Sequence, residues 1–339
     1  MRAVVVFLAA MTTIPGFAQQ ADSTAGRKPN ARPTRPVHTY SIVARDKKTG
    51  EMGVAVQSHW FSVGAVVPWA EAGVGAVATQ SLVDPAYGPL GLEMMRRGRS
   101  APEALKGLIA GDPRSEVRQV ALIDAQGRVA AHTGAKCIAE AGHVSDEAEQ
   151  FSVQANLMEK NTVWPAMAEA YRKSTGDLAE RMLAALEAAQ HEGGDIRGQQ
   201  SAALLVVKPV GAGKPWEERV YDLRVEDSPD PLAELRRLLT IQRAYNHMNA
   251  GDLAVEKKDF TAANQEYTAA ARLAPQIVEL RFWQAVTLAS STKVDESLPI
   301  FKEVFAREPR WAPLVPRLVQ VGILPDDKQL LERIRQQGP

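Results

Sequence analysis

The 339-residue chain has one cysteine, Cys137. No intramolecular disulfide can form, so the fold must rest on ordinary core packing. There is no excess of either charge: Lys+Arg and Asp+Glu each total 40. That balance removes the electrostatic basis for nucleic acid or an anionic membrane as a partner. No apolar run is long enough to span a bilayer, so no membrane span is expected. No G-x-G-x-x-G or Walker sequence joins a strand to a helix, which excludes the usual nucleotide sites. The six histidines form no H-E-x-x-H and no Cys/His pair. His143 with Asp146, and His191 with Asp195, are isolated pairs of a kind usually found on surfaces. The sequence therefore predicts no metal and no cofactor.

What is present begins with a targeting signal. Arg2 precedes a short apolar run, Ala3 to Ala10, and small residues stand at the −3 and −1 positions of a cleavage site after Ala18. This is the pattern of a secretory signal peptide over 1–18, and it predicts export to the periplasm or beyond. Residues 19–37 are polar and Pro-rich and read as a disordered linker or propeptide. A lone Cys137 in an exported protein reads first as a small buried apolar residue, and only second as a nucleophile.

Structure is expected from Thr39 onward. TYSIVAR, MGVAVQS, SVGAVV and GVGAVAT read as strands rich in Val and small residues, the first two joined by the turn DKKTGE with Gly50. Both faces of these runs are apolar or small, as in a sheet covered on both sides. A helix follows over 89–98. Ser100 then caps a second helix that opens with Pro102 and Glu103. Next come the hairpin EVRQVALIDAQGRVAAHTG, the strand FSVQANL, amphipathic helices over 162–173 and 177–191, and two closing strands, SAALLVVKP and ERVYDLRVED. Hairpins alternating with helix pairs predict an α+β fold over 38–228, a four-layer α-β-β-α sandwich.

Over 229–339 nearly everything is helical. Gly251, Ala263, Tyr267, Ala270 and Pro275 follow tetratricopeptide spacing. A weaker copy shifted by 34 residues carries Phe301 and Pro309, with 312–337 as a capping helix pair. Such units bind peptides or protein partners and rarely do chemistry.

From Thr39 to Lys208 the chain resembles a bacterial family, the domain of unknown function numbered 1028. The resemblance rests on TYSIVARDKKTGEMGVAVQS, VGAVVPWAEAGVGAVATQSLVDPAYGPLGLEMM, RVAAHTGAKC, FSVQANLM and GGDIRGQQSAALLVV. That family is grouped by fold with the N-terminal-nucleophile (Ntn) hydrolases, and the resemblance implies an amide- or peptide-bond hydrolase. In such enzymes a Thr, Ser or Cys at the start of the mature chain attacks, with its own α-amine as base. Thr39 stands at the matching position and Ser41 is the second candidate. A free Thr39 amine requires cleavage after His38. The alternative is a binding or scaffold protein that keeps the fold.

Further polar residues lie in or beside apolar strands, where burial forces them to seek one another. His59, His132 and Asn156 are candidates for proton transfer and oxyanion binding. Gln80, Gln154, Asp195, Arg197, Gln200 and Ser201 are candidates for binding. The expected partners are a small amide or peptide substrate, and a protein or peptide engaged by the helical tail. The open faces of a sandwich would also allow a homodimer.

Overall fold

The computed structural model describes residues 39–291 and 293–338. The expected signal peptide (1–18), the linker (19–37) and His38 lie outside the described residues. Among the described residues no helix is long and apolar enough to cross a membrane.

The elements run β1 (Thr39–Arg45), β2 (Met52–Ser58), β3 (Pro68–Glu71), β4 (Gly75–Ser81), α1 (Tyr87–Arg96), α2 (Ala101–Gly111), β5 (Arg118–Asp124), β6 (Val129–Thr133), β7 (Gly142–Asp146), β8 (Phe151–Asn156), α3 (Val163–Lys173), α4 (Leu178–His191), β9 (Ser201–Val207), α5 (Pro215–Glu218) and β10 (Arg219–Val225). They form a six-stranded sheet, β10-β9-β2-β1-β8-β7, and a four-stranded sheet, β3-β4-β5-β6. Every strand pair is antiparallel.

The period of two along each strand sorts the side chains. Val43, Val54 and Val56 of the larger sheet meet Ala76, Ala78, Ala121 and Ile123 of the smaller one in an apolar core between the sheets. Tyr40, Ile42 and Phe151 face the other way and pack under Met167, Tyr171 and Leu183 of α3 and α4. Val77, Val120 and Leu122 pack under Leu92, Ala104 and Leu105 of α1 and α2. The seven residues of β2 are all buried, which explains why these strands show no polar alternation. Gly53 permits this packing, since a Cβ there would lie 2.5 Å from the carbonyl oxygen of Leu205 and 2.9 Å from Met182. Gly50 turns the first hairpin at φ 77°. Ser100 caps α2 as expected, accepting from the Glu103 amide while the Glu103 carboxylate accepts from the Ser100 amide at 2.8 Å.

One local expectation fails, and one strand is added. The run SVGAVV is not a strand: Ser62 has φ 57° and Val63–Ala65 form a single 3-10 turn. Pairing resumes at Pro68, on the outer edge of the smaller sheet, where a missing N–H leaves no gap in a ladder. The edge strand β7, sequence GHVSD, is an addition to the expected strands, because it has too few apolar residues to signal one.

The remaining helices are α6 (Pro231–Glu256), α7 (Phe260–Leu273), α8 (Val278–Ser290), α9 (Val294–Arg307), α10 (Val315–Gln320) and α11 (Lys328–Arg335). Gly251 allows the Tyr267 ring onto α6, since a Cβ there would lie 2.8 Å from it. Phe282, Phe301, Phe305 and Trp311 fill a separate core beyond residue 278.

Helix α6 is tied to α4 by charge. Arg236 reaches Glu187 at 2.6 and 2.8 Å and Glu180 at 2.7 Å; Arg243 reaches both oxygens of Asp177 at 2.8 Å and Glu180 at 3.1 Å. Burial alone would raise the pKa of Glu180. The hydrogen bonds from Arg236 and Arg243 outweigh it, and the carboxyl is held below its ordinary range. A carboxylate with a depressed folded pKa contributes stability above its unfolded value of about 4.3 and loses that contribution as pH falls through the folded value. Glu180→Gln should therefore destabilise the chain by about 1 kcal/mol at neutral pH. The deficit should shrink below about pH 4, as read from denaturant unfolding of both chains across pH.

Candidate functional site

The space between the sheets has two unlike ends. One end is the apolar core just described. The other is polar, at the head of β1 and the ends of β2, β4 and β8. Residues of odd number in β1 and even number in β8 face inward. Thr39, Ser41, Ser58, Gln80, Gln119, Ser152, Gln154 and Asn156 are all fully buried there.

Their hydrogen bonds form one network across both sheets. Ser41 Oγ donates to Gln80 Oε1 at 2.6 Å, and Gln154 Nε2 donates to Ser41 Oγ at 2.6 Å. Gln80 Nε2 donates to Gln119 Oε1 at 2.7 Å and to the carbonyl of Thr39 at 3.1 Å. Asn156 Nδ2 donates to the same Gln119 oxygen at 2.9 Å and lies 3.5 Å from the Thr39 carbonyl. Gln119 Nε2 reaches the Ala155 carbonyl at 2.8 Å and Thr133 Oγ1 at 3.0 Å. Thr133 Oγ1 stands 2.9 Å from His143 Nδ1 on β7, which links the network to the sheet edge. Thr39 Oγ1 donates to Ser58 Oγ at 3.2 Å. The groups named around Thr39 are all neutral hydroxyls and carboxamides.

The structure thus brings together Thr39, Ser41, Gln80, Gln154 and Asn156. It separates the other candidates. His132 pairs with Val120, on the opposite face of β6 from Thr133. Its Nε2 lies 2.9 Å from the Ser115 carbonyl, and it lines a shallow cavity with Leu105 and Ile109 under α2. His59 turns its Nδ1 to the Gln199 carbonyl at 3.3 Å, outside the network. Its backbone amide donates to Asp195 at 3.3 Å. The buried Asp195 carboxylate is gripped by Arg197, with Nη2 at 2.7 Å and Nε at 3.0 Å. These two hold the 192–200 loop against the end of β2. Gln200 binds Asp227 at 3.1 Å on the surface. Ser201 Oγ bonds the Trp60 carbonyl and accepts from the Val63 amide at 3.1 Å, which shapes the turn after β2.

Gln119, Ser152 and Gln57 are buried polar residues that the sequence pattern does not single out. Gln119 follows Arg118 at the start of a strand, and only the β4–β5 register, Gln80 opposite Gln119, shows that the two amides meet. Gln57 faces α4 instead. Its carboxamide is fully buried with neither atom hydrogen-bonded among the described residues. Burial pushes the Cys137 thiol up, and its Sγ bonds the Arg118 carbonyl at 3.3 Å. Its thiolate form is thereby disfavoured. Among the described residues no group of three His, Cys, Asp or Glu could hold a metal ion.

Two stacked antiparallel sheets with a buried polar end, extended by a helical C-terminal region, define a mixed α/β protein. The chain belongs to the family of unknown function DUF1028, whose model matches residues 39–235. A protein of the same family from Silicibacter pomeroyi, known from its crystal structure, is similar at 30% identity and a TM-score of 0.53. The match covers 60% of this chain and 88% of that one. None of the curated proteins compared matches the chain.

Two glutamines in similar burial make opposite predictions. Gln80→Met strands Ser41, Gln119 and the Thr39 carbonyl and should destabilise by about 2–3 kcal/mol. Gln57→Met removes a carboxamide that satisfies nothing and should stabilise by about 1 kcal/mol. Urea unfolding of the two variants beside the parent chain reads both signs.

Proposed function

We propose that the chain is an exported hydrolase of amide or peptide bonds, of the N-terminal-nucleophile type. Its sheets and helix pairs would form the four-layer α-β-β-α sandwich, and its helices beyond 229 a tetratricopeptide-like tail for a protein partner. The observation that carries this reading is the place of Thr39. It is the first residue of β1 and lies between the sheets, with its hydroxyl beside Ser58 and its carbonyl held by Gln80 and Asn156. The neutral surroundings fit this chemistry, because the base is supplied by the nucleophile's own α-amine. With a pKa near about 8, that amine is partly neutral at working pH. Cleavage after His38 would free it. The Thr39 hydroxyl would then attack the substrate carbonyl and pass its proton through the amine to the leaving nitrogen. Water would hydrolyse the resulting ester. The carboxamides of Gln80, Gln154 and Asn156 are the nearest donors for an oxyanion.

A second reading is a binding protein that keeps the fold without the chemistry. It is favoured by the full burial of Thr39 and by the internal hydrogen bonds of the network. The test is a comparison of chains made to begin at Thr39 and at Gln19, assayed against a panel of aminoacyl and acyl 4-methylcoumarinyl amides. The hydrolase reading expects turnover only from the chain that begins at Thr39. The rate should rise with pH through the amine's titration near about 8 and be lost in Thr39→Ala. An inert Thr39-initiated chain, or an exported protein whose intact mass retains the 19–38 segment, favours the binding reading.

A further inference from the structure

Helices α6, α7 and α8 and the 319–326 segment enclose a broad groove of about 1000 Å³. Its floor is apolar and aromatic, with Phe260, Tyr267, Trp283, Val286 and Ile323. Its rim is acidic. Asp252 and Glu256 stand one helical turn apart on α6, Asp326 stands on the 319–326 segment, and Lys258 is the one cation among the lining residues.

Two features of the rim lack an internal explanation. Like charges four residues apart on a helix repel and weaken it. Moreover, Asp252, Glu256 and Asp326 have no ion-pair partner among the described residues, whereas Asp177, Glu180 and Glu303 each meet an arginine. Asp252 is also fixed in place. It accepts a hydrogen bond from the buried Tyr267 hydroxyl, and burial followed by that bond pushes the Tyr267 pKa up. The phenol stays a donor, so the carboxylate is anchored with one oxygen left for a ligand.

We propose that this groove binds a segment of another protein that is extended and carries alternating basic and aliphatic side chains. The aliphatic groups would meet the aromatic floor, and ammonium or guanidinium groups would meet the carboxylates. The half-buried Trp283 ring on the floor adds cation–π attraction. This rests on the reading of the helical region as the partner-binding part. It is independent of any chemistry at Thr39.

The experiment is calorimetric titration of the full chain with three synthetic nonapeptides, built from three repeats of Lys-Leu-Pro, Glu-Leu-Pro or Lys-Ser-Pro. Proline keeps them extended and soluble. The Lys-Leu-Pro peptide should bind about tenfold more tightly than either control, and added salt should weaken it. Glu256→Gln combined with Asp326→Asn should weaken it about tenfold with no change in melting temperature, since both side chains are exposed and unpaired. Preference for the Glu-Leu-Pro peptide would overturn the charge assignment while leaving the tail a binding module. Binding of none of the three would overturn both, and an unchanged affinity in the double variant would move the binding site elsewhere.

Discussion

The sandwich depends on a shared set of carboxamide bonds between its sheets. Gln80 from one sheet and Gln154 from the other meet on Ser41, while Gln119 receives Asn156 and Gln80 on a single oxygen. Buried amides are costly unless paired, so each residue is tolerable only because the others stand where they do. That mutual requirement fixes the stagger of the sheets. A slip of one residue in any strand would turn its amide outward and leave its partners bare. The apolar end of the interior, from Val43 and Val54 to Ala121, tolerates such rearrangement far better, because alkyl contacts have no direction. Apolar burial supplies stability at one end, and the polar end specifies a single alignment.

Much of the fold is legible in the sequence. Hairpins, helix pairs and the capped start of α2 follow from turn residues and periodicity, which act within a dozen positions. The failures are local. SVGAVV has strand composition, but Ser62 takes a left-handed turn, and the Val63 amide after it bonds Ser201, a partner 138 positions away in sequence. The candidate site is legible in part, for a related reason. A polar residue in an apolar strand announces burial, and this locates Gln80, Gln154 and Asn156, whereas Thr39 is pointed out by the family resemblance. It does not announce which face the residue occupies when both faces are covered. His132 and Thr133 look equally eligible, yet the pleat sends one under α2 and the other to Gln119. Gln57 and Gln154 look alike too, and only one of them has partners.

The helical region is joined to the sandwich by a different kind of force. Leu232, Leu235 and Leu239 of α6 enter the core that α4 shares with β9 and β10. Arg236 and Arg243, on the neighbouring stripe, bind the carboxylates of Asp177, Glu180 and Glu187 at the start and along the length of α4. The apolar stripe gives most of the adhesion, since half-exposed ion pairs contribute modestly. The arginines give direction, because a guanidinium fork meets a carboxylate in few orientations. The family match ends at residue 235, inside α6, so this junction spans the boundary between the family module and the later helices. Beyond it the second core, around Phe282 and Phe301, is built without any residue of the sheets.

The neutral groups around Thr39 constrain what chemistry the head of β1 could perform. Hydroxyls and carboxamides can hold a carbonyl and orient a nucleophile, but none can accept a full proton near neutral pH. His132 and His59 do not supply the lack, since one lies beneath α2 and the other points to the Gln199 carbonyl; His143 meets the network only at its edge, with Thr133 and Gln119 between its ring and the head of β1. Asp195 is buried and committed to Arg197. On the proposed hydrolase reading the proton acceptor at Thr39 would be its own nitrogen, whose nature would depend on processing. As an amide it donates and has no basic lone pair; as a terminal amine it becomes a base placed beside its own hydroxyl. On that reading the same arrangement of side chains would be inert or competent according to one peptide bond, the bond to His38.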